Sequence, residues 1–83
     1  MKTKVINSNS LGLILRSARK SKGLNQTEAG KLLGVDQTTI SKVERGESKV
    51  RIDTLFRILA ALDLEIIIQS KKMWSDLNEG DNW

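Results

Sequence analysis

Gln37, Thr38, Ser41 and Lys42 bring an amide, two hydroxyls and an ammonium to one side of a helix, the second pair one turn beyond the first. Such groups hydrogen-bond to the flat edges of nucleic-acid bases; they make no nucleophile and no acid–base couple. Gln37 can offer a donor and an acceptor together to adenine N6 and N7, a pairing worth roughly 1–3 kcal/mol of discrimination. Thr38 carries a methyl for the thymine methyl and a hydroxyl for either base type, and Lys42 reaches guanine or a phosphate. A second set flanks the first. Asn25, Gln26 and Thr27 stand at the start of a predicted helix, where free N–H groups favour an anion. Arg45, Lys49 and Arg51 follow the base-reading set as phosphate contacts. The bland alternative is a solvated helix face ringed by ordinary surface charge. The full spacing of the motif described below weighs against it.

Composition excludes most other chemistry. The 83 residues include no Cys, no His and no Pro. That removes disulfides, structural zinc, Cys nucleophiles and every His-dependent base. The carboxylates form no recognisable site, so no enzymatic activity, cofactor or metal is expected. Hydrophobic residues make up 39% and charged residues 29%. No apolar run approaches the roughly 18 residues of a membrane span, and no signal-peptide pattern opens the chain. A small soluble, cytoplasmic protein of one domain is expected. A chain of this length buries only about 60–65% of its unfolded surface, so a partner subunit would help it.

The net charge of +4 is unevenly spread. Residues 1–57 hold 12 Lys/Arg against 5 Asp/Glu, a net of +7, whereas residues 58–83 hold 2 against 5, a net of −3. A basic body with an acidic end implies two different partners, one of them polyanionic.

The elements that must position these groups are legible as short periodic segments. Gly23, Gly34 and Gly46 each sit where a left-handed residue would end a helix. Leu11, Ile14, Leu15 and Ala18 give one apolar face to a first helix, starting at Ser8 or Ser10 and running to about Lys22, with Lys20 and Lys22 opposing its dipole. Asn25 and Glu28 read as an N-cap and its reciprocal acid for a second helix, whose buried side is expected at Ala29, Leu32 and Leu33. Asp36 caps a third, with Val35 and Ile40 at the spacing of a hydrophobic staple and Ile40 and Val43 inward. Leu55, Ile58, Leu59 and Leu62 mark a fourth, at about 52–62. Residues 64–69 are β-branched and strand-like, and from Lys72 onward the chain is polar and expected to be loose on its own.

Helices at 26–33 and 37–45 joined through Gly34-Val35-Asp36 make a helix-turn-helix. The second of them, about 10 Å wide, fits the DNA major groove with its N-terminal side chains at the base edges. Leu11-Gly12, Arg19-Lys20, Gly23-Leu24-Asn25-Gln26-Thr27-Glu28, Leu33-Gly34-Val35, Thr39-Ile40-Ser41-Lys42-Val43-Glu44-Arg45-Gly46 and Thr54-Leu55 resemble the Xre/Cro/phage-repressor helix-turn-helix family over about residues 10–64. The resemblance implies an all-α, lambda-repressor-like domain of four to five helices over residues 8–64. It further implies that Gln26 touches a phosphate and buttresses Gln37, and that Arg19 and Glu44 form a partly buried ion pair. One departure stands out. The family usually has Leu-Ala where this chain has Ala29-Gly30, and a mid-helix Gly costs about 1 kcal/mol against Ala. It either lets the helices approach more closely or loosens the second one.

A domain of this type followed by a strand and a polar, Trp-containing tail is similar to the HipB-like antitoxins, which repress their own operons and restrain HipA kinase toxins. That resemblance implies a homodimer formed through a strand at residues 65–70, with Leu64, Ile66, Ile67 and Ile68 at the interface. The reason is physical: one strand cannot satisfy its own backbone, and Lys4-Val5-Ile6 is a weak second one. A dimer matches a palindromic operator. Residues 71–83 are then a flexible tail. Trp83 is either an anchor in a pocket of the HipA-like kinase or an accidental residue in a disordered end, and Trp74 is local packing or dimer cover.

Overall fold

The first helix, α1 (Ser8–Ser21), is started by Asn7. Its side-chain oxygen accepts from the Ser10 N–H at 2.8 Å, while the Asn7 N–H donates to Ser10 Oγ at 3.1 Å. Ser10 therefore serves as the reciprocal partner in a capping box, not as the cap itself. A computed structural model describes residues 2–47 and 49–71 of the chain, and within them lie three more helices: α2 (Gln26–Leu33), α3 (Gln37–Glu44) and α4 (Ile52–Ala61). The first three run into turns at Gly23, Gly34 and Gly46, all with positive φ.

Leu15, Leu33, Ile40, Val43, Ile58, Leu59 and Leu62 form the core, with Leu11, Ala18, Val35, Val50, Leu55, Ala61 and Leu64 packed against it. α3 lies on both α1 and α2, and α4 closes the core from the α2 side. Helices of eight residues are marginal alone and exist here because each contributes a packed face. Val35 and Ile40, the expected staple, both belong to this apolar assembly.

One expectation needs correction, and a second takes no form in a single chain. Leu32 is 62% exposed, and the buried side of α2 is Ala29, Gly30 and Leu33. The inward direction of α2 is centred between Ala29 and Gly30, which swings Leu32 past the edge of the core. Residues 64–71 form no strand in the single chain, nor do residues 4–6. A strand is defined by a ladder, and the described residues offer these segments no partner backbone. Leu64 instead closes α4, donating its N–H to the Leu59 carbonyl at 2.8 Å and packing on the core, so only Ile66, Ile67 and Ile68 of the four expected interface residues remain exposed.

Candidate nucleic-acid interface

α2, the turn at residues 34–36 and α3 hold the reading residues in place through caps at both helix starts. Asn25 Oδ1 accepts from the Glu28 N–H at 2.7 Å, and Glu28 Oε1 accepts from the Asn25 N–H at 2.8 Å. Asp36 Oδ1 accepts from both the N–H (2.9 Å) and the hydroxyl (2.7 Å) of Thr39, which holds the Asp36 carboxyl below its ordinary pKa.

Two glycines set how deeply α3 is seated. A Cβ at Gly12 would collide with the carbonyls of Val43 and Glu44, so α1 meets the end of α3 backbone to backbone. A Cβ at Gly30 would stand 2.6 Å from the Val35 carbonyl oxygen. The unusual Ala29-Gly30 pair thus corresponds to a closer approach, of α2 to the turn that leads into α3.

On this frame Gln37, Thr38, Lys42 and Arg45 are exposed, Ser41 is half-buried, and Ile40 and Val43 point into the core. Gln26 and Gln37 meet directly: Gln37 Nε2 donates to Gln26 Oε1 at 2.6 Å. Gln26 Nε2 donates in turn to Glu44 Oε1 at 3.1 Å. Glu44 is paired with Arg19, Nε to Oε2 at 2.5 Å and Nη2 to Oε1 at 3.0 Å, with side chains only 8% and 5% exposed for Arg19 and Glu44. The third guanidinium nitrogen donates to the Leu24 carbonyl at 2.7 Å. The hydrogen bond to Glu44 raises the Arg19 pKa further despite burial. Among the described residues no buried side-chain N or O lacks a partner.

The phosphate set is less open than its sequence suggests. Asn25 spends its side-chain oxygen and its backbone N–H on the cap, so its side-chain N–H groups join Gln26 and Thr27 as the donors at the start of α2. Arg45 donates from Nε to Glu47 Oε2 at 2.7 Å and from Nη1 to Ser41 Oγ at 2.5 Å. This contact raises the Arg45 pKa and lowers that of Glu47. Arg51 makes an exposed two-pronged pair with Asp53 at 3.2 Å. Lys42 and Lys49 share an open cleft beside α3 with Thr39, Glu47 and Val50. Sequence reasoning missed Glu47; the signal was an acid two residues after Arg45 in an otherwise basic loop. Trp74 and Trp83 lie outside the described residues. No helix among those residues is long and apolar enough to cross a membrane, and no group of three or more acidic residues among them gathers to hold a metal ion.

Residues 15–68 match the helix-turn-helix family HTH_3. An HTH-type transcriptional regulator of Sinorhizobium fredii, y4dL, is 37% identical over 59 residues; the match covers 71% of this chain, which spans only 30% of that relative's length. The ImmF control region 10 kDa protein of Bacillus phage phi105 is 34% identical over 62 residues, 75% of this chain and 69% of its own. Antitoxin HipB of Escherichia coli K12 is 29% identical over 69 residues, 83% of this chain and 78% of its own. HipB in a HipA–HipB–O2–O3 complex superposes with a TM-score of 0.75 at 28% identity, over 86% of this chain and 100% of that one. The restriction-modification controller protein C.AhdI from Aeromonas hydrophila superposes at 0.64 with 35% identity, over 69% and 83%.

Proposed function

This chain belongs to the Xre-type helix-turn-helix family and is a DNA-binding regulator of transcription; on that footing we propose that it is a homodimeric, sequence-specific repressor that also serves as antitoxin to a HipA-like kinase. The observation that carries the DNA reading is the outward face of α3, polar and donor-rich, standing over a paired and satisfied interior. Gln37, Thr38, Ser41 and Lys42 read base edges in the major groove. Gln26, Thr27 and the side-chain N–H groups of Asn25 hold a phosphate on one side, and Arg45, Lys49 and Arg51 hold the backbone on the other. For Arg45 and Arg51 this means exchanging Glu47 and Asp53 for phosphate oxygens.

The antitoxin reading is favoured by the extent of the match to HipB, which runs past α4 and covers that whole chain. Ile66, Ile67 and Ile68, exposed in the single chain, pair as a strand with their copies across a two-fold axis and so match a palindromic operator whose half-sites lie about one helical turn or a multiple apart. Trp83 anchors the tail in the kinase. Such a protein works in the cytoplasm, on the nucleoid. A second reading, an Xre-type regulator without a toxin partner, is favoured by the phage and restriction-controller relatives, whose identities of 34% and 35% exceed that of HipB.

Co-purification with the HipA-like kinase separates the two. The antitoxin reading expects a stable complex that is lost on deleting residues 81–83; no complex from the full-length protein leaves the plain regulator. If full-length and shortened chains hold the kinase equally, the Trp83 anchor is wrong and the body of the protein makes the contact.

A further inference from the structure

The buried pair Arg19–Glu44 is joined to the base-reading residue by an unbroken chain of hydrogen bonds. From these contacts we infer that Arg19 and Glu44 are positioning residues for base recognition, fixing which end of the Gln37 amide faces DNA. The inference rests on Gln37 reading a base, as proposed above.

Each link leaves one polarity. Glu44, ion-paired with Arg19, is a carboxylate and only accepts. Gln26 must therefore turn its Nε2 toward Glu44 Oε1, which leaves its Oε1 facing outward. Gln37 must then give an N–H to that oxygen, which it does at 2.6 Å. What remains on Gln37 for DNA is its Oε1 and a single N–H. That set matches adenine, which offers the N6 donor and the N7 acceptor, and gives one bond to the cytosine N4 donor. Guanine and thymine present only acceptors, so each takes one bond from that N–H while the fixed Oε1 finds no donor. A glutamine free to turn its amide would discriminate less. The core pair thus acts through Gln26 as an orienting relay, and burial strengthens it because the Glu44 end is shielded from water.

The relay is tested on the full chain with a duplex selected from a randomised library, the position read by Gln37 being the one whose preference Gln37→Ala erases. The test variant is Arg19→Met with Glu44→Met. It removes the acceptor without stranding a buried charge, a replacement that buried pairs often tolerate. The expected result is a folded protein whose adenine-over-guanine preference at that position falls from about tenfold to twofold or less. Preference elsewhere and the salt dependence stay as in the parent. If the double variant fails to fold, Glu44→Asp keeps the charge beside Arg19 while drawing the oxygen back from Gln26, and the same loss is expected. Full retention of the preference in a folded variant overturns the relay. A readout without DNA separates this from failure of the base-reading proposal. In the free protein the side-chain amides of Gln26 and Gln37 should be ordered by NMR, becoming motionally averaged in the variant. Equal mobility in parent and variant overturns the relay whatever the DNA result. Ordered amides in a parent that shows no preference at the Gln37 position would instead overturn base reading, and with it the purpose assigned to the relay.

Discussion

Residues 7–47 tie most of their hydrogen-bonded polar groups to one another, with Lys22 reaching out to Asp63. α1, α2 and α3 each begin with a side-chain cap, and the buried charges Arg19 and Glu44 satisfy each other and hold Gln26. Residues 51–71 are built otherwise. α4 begins at Arg51 with no side-chain cap, is held by Ile58 and Leu59, and leaves Ile52 and Phe56 exposed. Beyond it Ile66, Ile67 and Ile68 stand in solvent, the last 87% exposed. The contrast separates two kinds of work. A surface that reads hydrogen-bond patterns must have its donors and acceptors oriented before the ligand arrives. A surface that buries apolar area against a second chain needs only to expose that area and be held in place behind.

Breaking the polar half should cost most. Glu44→Ala strands the buried Arg19 charge and is expected to destabilise by about 3–5 kcal/mol in denaturant melts; a loss under 1 kcal/mol would mean that the first half is not held by its polar interior. On the other side of the contrast, Leu59→Ala should cost about 2–5 kcal/mol through the cavity it leaves. Asn25→Ala, which removes the α2 cap, should cost about 1 kcal/mol. Smaller still is the pH effect of Asp36. Its folded-state pKa is depressed, so the stability it contributes is fully present above its ordinary carboxylate pKa and is lost as pH falls through the depressed value. An acid melt of Asp36→Asn, which keeps an acceptor but does not titrate, should lack that component. Ile66→Asp with Ile68→Asp should leave monomer stability within about 0.5 kcal/mol while abolishing dimerisation in sedimentation. A double variant that still dimerises would move the interface elsewhere, with Ile52 and Phe56 the next surface to test.

Where structure follows from local chemistry, it was legible in advance. The caps at Asn25 and Asp36 and the turns at three glycines depend on residues within one turn of one another. So does the outward set on α3, because Ile40 and Val43 orient the helix from within. The start of α1, expected at Ser8 or Ser10, falls at Ser8: of four successive polar residues it is Asn7 that caps, with Ser10 as its partner. Leu32 was misplaced because the inward direction of α2 is set from outside, by the turn pressing on Gly30. The link from Gln26 to Glu44 spans 18 positions, and the Arg45–Glu47 contact forms beyond the end of α3, where helical periodicity says nothing. The strand at 64–69 needs a second backbone that one chain does not supply.

Glu47 offers a finer probe of the reading half. Glu47→Gln should free Arg45 for phosphate, raising affinity for DNA of any sequence and steepening the dependence of log K on log salt by about one unit.

The most direct test of the DNA interface measures parent and Gln37→Ala binding to a selected duplex and to a scrambled one between about 50 and 200 mM salt. The parent should prefer the selected duplex at least about 10³-fold, with affinity for both falling steeply as salt rises. Gln37→Ala should lose about 1–3 kcal/mol on the selected duplex and almost nothing on the scrambled one. Equal losses on both duplexes, or binding indifferent to salt, would contradict the assignment of α3 as the helix that reads DNA.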